Sequence, residues 1–240
     1  QVVRAPLPAL TVGAVVEEIV TVRSTKPLPW AQVHMEGLQG PIKRGVQEIV
    51  IETPEKMAIH YLVDGLAEPA KEEVVGGRRR VRWAADSLPA LDFPETGLPS
   101  DVHYWPRLVF RVHDQSWRDV ARSYAGFVDE ALAGFKPPAP AQAIIDAKAE
   151  RAQKIDALLE WVHDRVRYSG LELGTGTVLP TAPATVLSRG YGDCKDKATM
   201  LVGLLRAAGI EAHVALLRAG RGADITTGFP GISEFNHAIV

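Results

Sequence analysis

The stretch Tyr191-Gly192-Asp193-Cys194-Lys195-Asp196-Lys197-Ala198 holds the only cysteine of a 240-residue chain and reads as the start of a helix. Asp193 suits the N-cap, where a short carboxylate accepts a backbone N–H that the first turn leaves free. Behind it Cys194, Ala198, Leu201, Leu205 and Ala208 recur at helical spacing and define one face. Gly209 predicts the stop, with Arg206 in the last turn and Ile210 placed for the hydrophobic contact of a glycine C-cap. The thiol then sits in the first turn, facing the core, amid unpaired N–H groups. Lys195 and Lys197 add positive charge, and the setting predicts a lowered thiol pKa. Gly192 lets backbone or substrate approach closely.

Downstream, Glu234-Phe235-Asn236-His237-Ala238-Ile239-Val240 reads as a strand. A thiol on a helix start facing an imidazole on a neighbouring strand is the minimum equipment for acyl transfer through a thioester. The competing reading is an inert core residue, since a lone cysteine is most often a small buried hydrophobe. Spacing alone does not bring Cys194 to His237. Asn236 points to the opposite face of a regular strand and reads as structural.

Three separated runs, Gly192–Leu201, Leu205–Ile210 and Phe235–Ala238, together resemble the core of the transglutaminase-like superfamily, papain-like thiol enzymes found in bacteria as proteases, amidases and cross-linkers. The resemblance covers residues 142–240. It implies a papain-like α+β core with Cys194 as nucleophile and His237 as general base. It also implies an oxyanion hole built from the Cys194 backbone N–H and a side-chain donor; Tyr168, Tyr191 and Trp161 carry suitable groups, although Trp161 and Tyr168 also read as packing residues. The family pattern places an aspartate on the strand after the histidine, where it orients the imidazole. This chain ends three residues past His237. The expectation is a core cut before its final strands, with room for additional domains beyond residue 240. Asp224, in the Gly-rich loop 219–224, is not assigned the role. The segment closing on Ser116–Val120 resembles the uncharacterised β-domain that precedes such cores.

The domain organisation expected is a β-rich region over 1–115, a connecting helix and Pro-rich linker over 116–141, and the core over 142–240. In the first part Arg107–Val112 alternates most clearly, with Leu108, Phe110 and Val112 on one face and both arginines on the other. Val12 to Val22, Val46 to Ile51 and Met57 to Val63 read similarly. Turn signals at Pro27 to Pro29, Gly37–Pro41, Gly76-Gly77 and Leu88 to Pro99 separate them, giving a sandwich or a strongly twisted sheet. The basic run Arg78–Arg82 reads as a solvated sheet face or a charge-protected edge. Ser116 then caps a helix with Trp117, Val120, Ala121, Tyr124, Phe127, Val128 and Ala131 in one stripe. Lys136–Pro140 ends it. A longer helix spanning 142–167 places Ile155, Leu158, Leu159, Val162 and Val166 on one face. The loop Tyr168 to Pro183 leads to the cysteine helix, and its part Gly170 to Thr177 reads as one wall of a substrate cleft.

A net charge of −2 argues against a nucleic-acid partner. No window approaches the roughly 18 apolar residues of a membrane span. Zinc through Cys194, His213 and His237 lacks the paired ligand spacings of structural sites, and the loop around Gly174-Thr175-Gly176 lacks the lysine of a phosphate cradle. Asp193, Asp196 and the lysines read as capping and solvated surface. His34, His60, His103 and His113 fall in the β-rich half, and His163 on a helix surface.

The function expected is cysteine-dependent acyl transfer or hydrolysis at amide bonds of a protein or peptide substrate, without metal or organic cofactor. The alternative is a non-catalytic module that keeps the cleft to hold a peptide or partner. The chain starts at Gln1, so processing or excision is expected. Resemblance to exported bacterial proteins implies the periplasm or cell envelope, with the cytoplasm as the alternative.

Overall fold

Alternating apolar and charged residues build the first half as two antiparallel sheets. The computed structural model describes residues 11–21, 23, 33–65, 71–91, 106–220 and 224–240. Its first six strands are β1 (Val33–Gly37), β2 (Arg44–Pro54), β3 (His60–Asp64), β4 (Lys71–Val75), β5 (Arg78–Leu88) and β6 (Arg107–Arg111). They form two three-stranded sheets in the orders β1-β6-β3 and β2-β5-β4. Ile51, Val81 and Trp83 from the second sheet and Leu108 from the first share one buried cluster. The arrangement is two sheets around a common core, not one twisted sheet.

β5 is the central strand of its sheet, so the basic run protects no edge. Val81 and Trp83 point inward, each 1% exposed. The arginines meet glutamates on both neighbouring strands: Arg80 lies 2.9 Å from Glu52 and 3.3 Å from Glu73, and Arg82 lies 2.5 Å from Glu48. Opposite charges on facing strands make this a self-neutralised solvent face.

Three strand expectations change. Residues 11–21 form no strand and lie exposed, since alternation alone supplies no pairing partner and none is found among the described residues. Met57 belongs to the turn before β3, which starts at His60. The second face of β6 is not open to solvent. Val109 is fully buried with Val33 and Phe229, and Arg107 is buried 3.4 Å from Asp64, because the C-terminal half covers that face. Val22, Pro27 to Pro29, most of Leu88 to Pro99, His103 and residues 221–223 lie outside the described residues.

The second half comprises α1 (Trp117–Ala131), α2 (Ala139–Asp146), α3 (Arg151–Arg165), β7 (Arg167–Tyr168), α4 (Pro183–Arg189), β8 (Tyr191–Gly192), α5 (Cys194–Ala207), β9 (Ala215–Leu217) and β10 (His237–Ile239). Ser116 caps α1 reciprocally with Asp119, as the sequence implies. Val120, Tyr124 and Val128 of this connecting helix are buried in the same cluster as Leu158 and Val162 of α3 and Met200 and Leu204 of α5. The Pro-rich stretch is shorter than expected, since α2 already begins at Ala139 with Pro140 in its first turn, where a missing N–H costs nothing.

The single helix expected over 142–167 is two. Ala147 turns extended, Gln153 accepts the Glu150 N–H at 3.2 Å, and Lys154 Nζ donates to the Ile145 carbonyl at 2.8 Å, so side chains satisfy both broken ends. Leu159 stays 36% exposed on α3. The short α4 was not legible in the loop before the cysteine. No helix among the described residues is long and apolar enough to cross a membrane.

Candidate active site

The helix carrying the thiol is fixed at both ends by its own chemistry. Asp193 and Asp196 form a reciprocal capping box, in which Asp193 Oδ1 accepts the Asp196 N–H at 3.1 Å. At the other end Ile210 N–H donates to Leu205 O at 2.9 Å and Gly209 N–H to Arg206 O at 3.0 Å, closing a Schellman motif with Gly209 at φ 73°. Between the ends α5 is buried on nearly every side, not on one stripe. Gly203 permits this, because a Cβ there would stand 2.7 Å from Leu132 and 2.9 Å from Phe135.

The charged residues around Cys194 are interior, not surface. Lys195, Asp193 and Asp196 are all within 5% of complete burial. Lys195 Nζ donates to Asp193 Oδ2 and lies 3.3 Å from Glu172 Oε1. Burial alone pushes this ammonium's pKa down; the hydrogen bond and charge of Asp193, aided by Glu172, outweigh it and hold the pKa up. Asp196 accepts from the Thr181 N–H at 2.7 Å and from Arg189, tying the preceding loop and α4 to the cap. Lys197 donates to the Val166 carbonyl at 2.8 Å, and burial lowers its pKa. Gly192 serves backbone packing, since a Cβ there would be 2.8 Å from that of Asp196.

β10 brings the histidine. It pairs antiparallel with β9, His237 opposite Leu217. The Asn236 amide both accepts from the Ala219 N–H at 2.6 Å and donates to the Ala219 carbonyl at 2.9 Å, which fixes the hairpin. α1 holds the approach: Trp117 Nε1 donates to Thr227 O at 2.8 Å, and its ring packs edge-on against Phe235. Cys194 and His237, both half-buried, line one cleft of about 440 Å³ with Tyr124, Glu172, Val178 and Phe235. Val33 and His34 of β1 complete its wall.

Burial pushes the Cys194 thiol pKa up, and Asp193 adds to the effect; backbone N–H groups of Ala238 and Lys195 and the Lys195 charge only partly offset them. The lowered pKa expected from a helix start is therefore overturned. The lysine charge is already committed to two carboxylates, and desolvation outweighs the N–H field.

Residues 138–238 match the transglutaminase-like superfamily. This part of the chain is a transglutaminase-like core. Residues 1–92 match a domain of unknown function, DUF3857. The fold is similar to that of a candidate protease from Parabacteroides distasonis ATCC 8503, with a TM-score of 0.64 and 19% identity over 87% of this chain and 41% of that one. The chain thus spans less than half the length of that protein. A candidate cysteine protease from Cytophaga hutchinsonii matches at TM-score 0.33 and 13% identity, over 87% of this chain and 66% of that one. No curated protein matches.

Within the transglutaminase-like core the two tyrosines singled out as oxyanion donors sit apart from the main cleft. Tyr168 is 55% exposed on β7, not in the core, and lines an adjoining apolar groove that also reaches Cys194 and His237. Tyr191 lies 4.8 Å beneath the Arg189 guanidinium. Trp161 packs against the helical core. His213 precedes β9 and lines a separate pocket between α1 and β9. Asp224 accepts its neighbour's N–H, from Ile225 at 2.7 Å. Donor atoms of Glu172, Asp193 and Cys194 lie within 4.8 Å of one another, but the Lys195 ammonium already bridges both carboxylates and supplies the positive charge there. Glu172 and Thr177 line the cleft from the loop read as its wall, whereas sequence reasoning missed Tyr124, Val33 and His34 as cleft residues. The helical stripe marks Tyr124 as buried, yet nothing local says which cavity it borders.

Proposed function

We propose that the protein is a cysteine-dependent hydrolase of amide bonds in protein or peptide substrates. The carrying observation is that Cys194, at the start of α5, and His237, at the start of β10, line one cleft. His237 takes the thiol proton as Cys194 Sγ attacks the carbonyl carbon, and returns it to the leaving amine as the thioester forms. A thiol held protonated by its surroundings needs such a base. Cys194 is half-exposed at an open cleft, so water reaches the thioester; a substrate amine in its place gives cross-linking.

One observation favours a second reading, a cleft that only holds a peptide: the raised thiol pKa is opposite to that of activated cysteines. Peptide-library turnover by the protein, Cys194→Ala and His237→Ala separates the two. Catalysis predicts cleavage by the wild type and none by either variant. Equal binding and no cleavage by all three establishes the holding module instead.

A further inference from the structure

We propose that the Tyr124 hydroxyl is the side-chain oxyanion donor of this site, hydrogen-bonding the substrate carbonyl oxygen as Cys194 attacks. The assignment rests on the reading of Cys194 as nucleophile.

Tyr124 comes from α1, outside the segment that matches the transglutaminase-like superfamily. It is 4% exposed and lines the cleft with Cys194 and His237. The charges acting on its phenol are those of Cys194 first, then Asp193, Asp196 and Glu172. All belong to the start of α5 or to the cleft loop. Among the described residues the hydroxyl has no hydrogen-bond partner, and the ring packs edge-on against Phe127. A phenol hydroxyl left free of protein partners is available to donate to a substrate oxygen in the cleft. Burial, followed by the surrounding negative charge, keeps the phenol protonated through the whole working range. A neutral donor already in place stabilises developing charge without reorganising. Tyr168 is too exposed for this, since water competes for its hydroxyl.

In the attack, the S–C bond forms while the carbonyl π pair moves onto oxygen. The Tyr124 O–H and the Cys194 backbone N–H donate to that oxygen. Collapse restores the C=O bond and expels the leaving group, and no proton leaves Tyr124.

The test uses the intact protein and p-nitrophenyl acetate, whose acylation step releases p-nitrophenolate as a burst, alongside iodoacetamide, whose reaction with a thiol forms no oxyanion. Tyr124→Phe keeps the ring and is expected to slow the burst by about 100-fold while leaving the iodoacetamide rate unchanged. Site-specific 3,5-difluorotyrosine at position 124, a stronger donor of similar shape, is expected to speed the burst in the neutral range. An unchanged burst rate in the folded Tyr124→Phe protein overturns the assignment. So does an equal loss in both reactions, which places the tyrosine's effect on the thiol. A wild-type protein with no burst, or with one that survives Cys194→Ala, overturns the nucleophile reading itself.

Discussion

Cys194 at the start of α5 and Ala238, the residue after His237, line one cleft, so the strand that carries His237 packs against the helix that carries the thiol. The imidazole is carried on a strand packed against the cysteine helix.

The thiol's titration follows from its surroundings. Its raised pKa makes the neutral form the resting state, so iodoacetamide modification accelerates with pH to a midpoint above the free-thiol value of about 8.5. The stability contribution has matching sign. It is present below the unfolded-state pKa and lost as pH rises through the higher folded-state pKa. Alkylation rates from about pH 6 to 10 measure it, and a midpoint near 7 contradicts the burial argument.

Lys195→Met removes the counter-ion of a buried carboxylate and leaves Asp193 uncompensated. The expected cost is about 3 kcal/mol in urea denaturation. Because the folded lysine's pKa is held up, its contribution is complete below the unfolded lysine value and disappears only in strong alkali. A loss of under about 1 kcal/mol, the range of exposed ion pairs, refutes the buried bridge.

The seam between β1 and the segment before His237 is tight at one point. A Cβ on Gly231 falls 2.6 Å from Val33 Cγ2, and Ser233 Oγ donates to the Val33 carbonyl at 3.2 Å. Gly231→Ala should cost about 1–3 kcal/mol by overpacking. Adding Val33→Ala makes room, so the double-mutant cycle should show coupling on the order of 1 kcal/mol. Strict additivity means the contact is absent in solution.

Gly209→Ala provides a local control. At φ 73° a side chain is strained, and the expected loss is about 1 kcal/mol in thermal or urea unfolding. Activity per folded molecule stays constant, because the substitution lies at the far end of α5. A selective loss of turnover means that the C-cap, too, positions Cys194.

Capping was the most legible part of this fold. Ser116, Asp193 and the Gly209-Ile210 pair act on backbone groups within a few residues, so a short window contains the whole interaction. The Cys194–His237 pairing was legible only through three matched segments together. Features requiring a distant partner were not. The alternating residues from Val12 to Thr21 have the composition of a strand but pair with none among the described residues. Lys195 reads as a surface charge until Glu172 and Asp193 are folded around it. The break between α2 and α3 contains neither glycine nor proline, and it is held by Lys154 reaching back to Ile145. Tyr124 shows its burial by periodicity and its neighbours only in three dimensions.

The presence of Val33 and His34 in the cleft wall bears on how such chains can be recombined. A shared wall makes the β-rich half part of the entrance, not a detachable passenger. Grafting a foreign N-terminal half onto this core would change which ligands are admitted while leaving Cys194 and His237 in place. Selectivity and chemistry would then vary separately, one with each half of the chain.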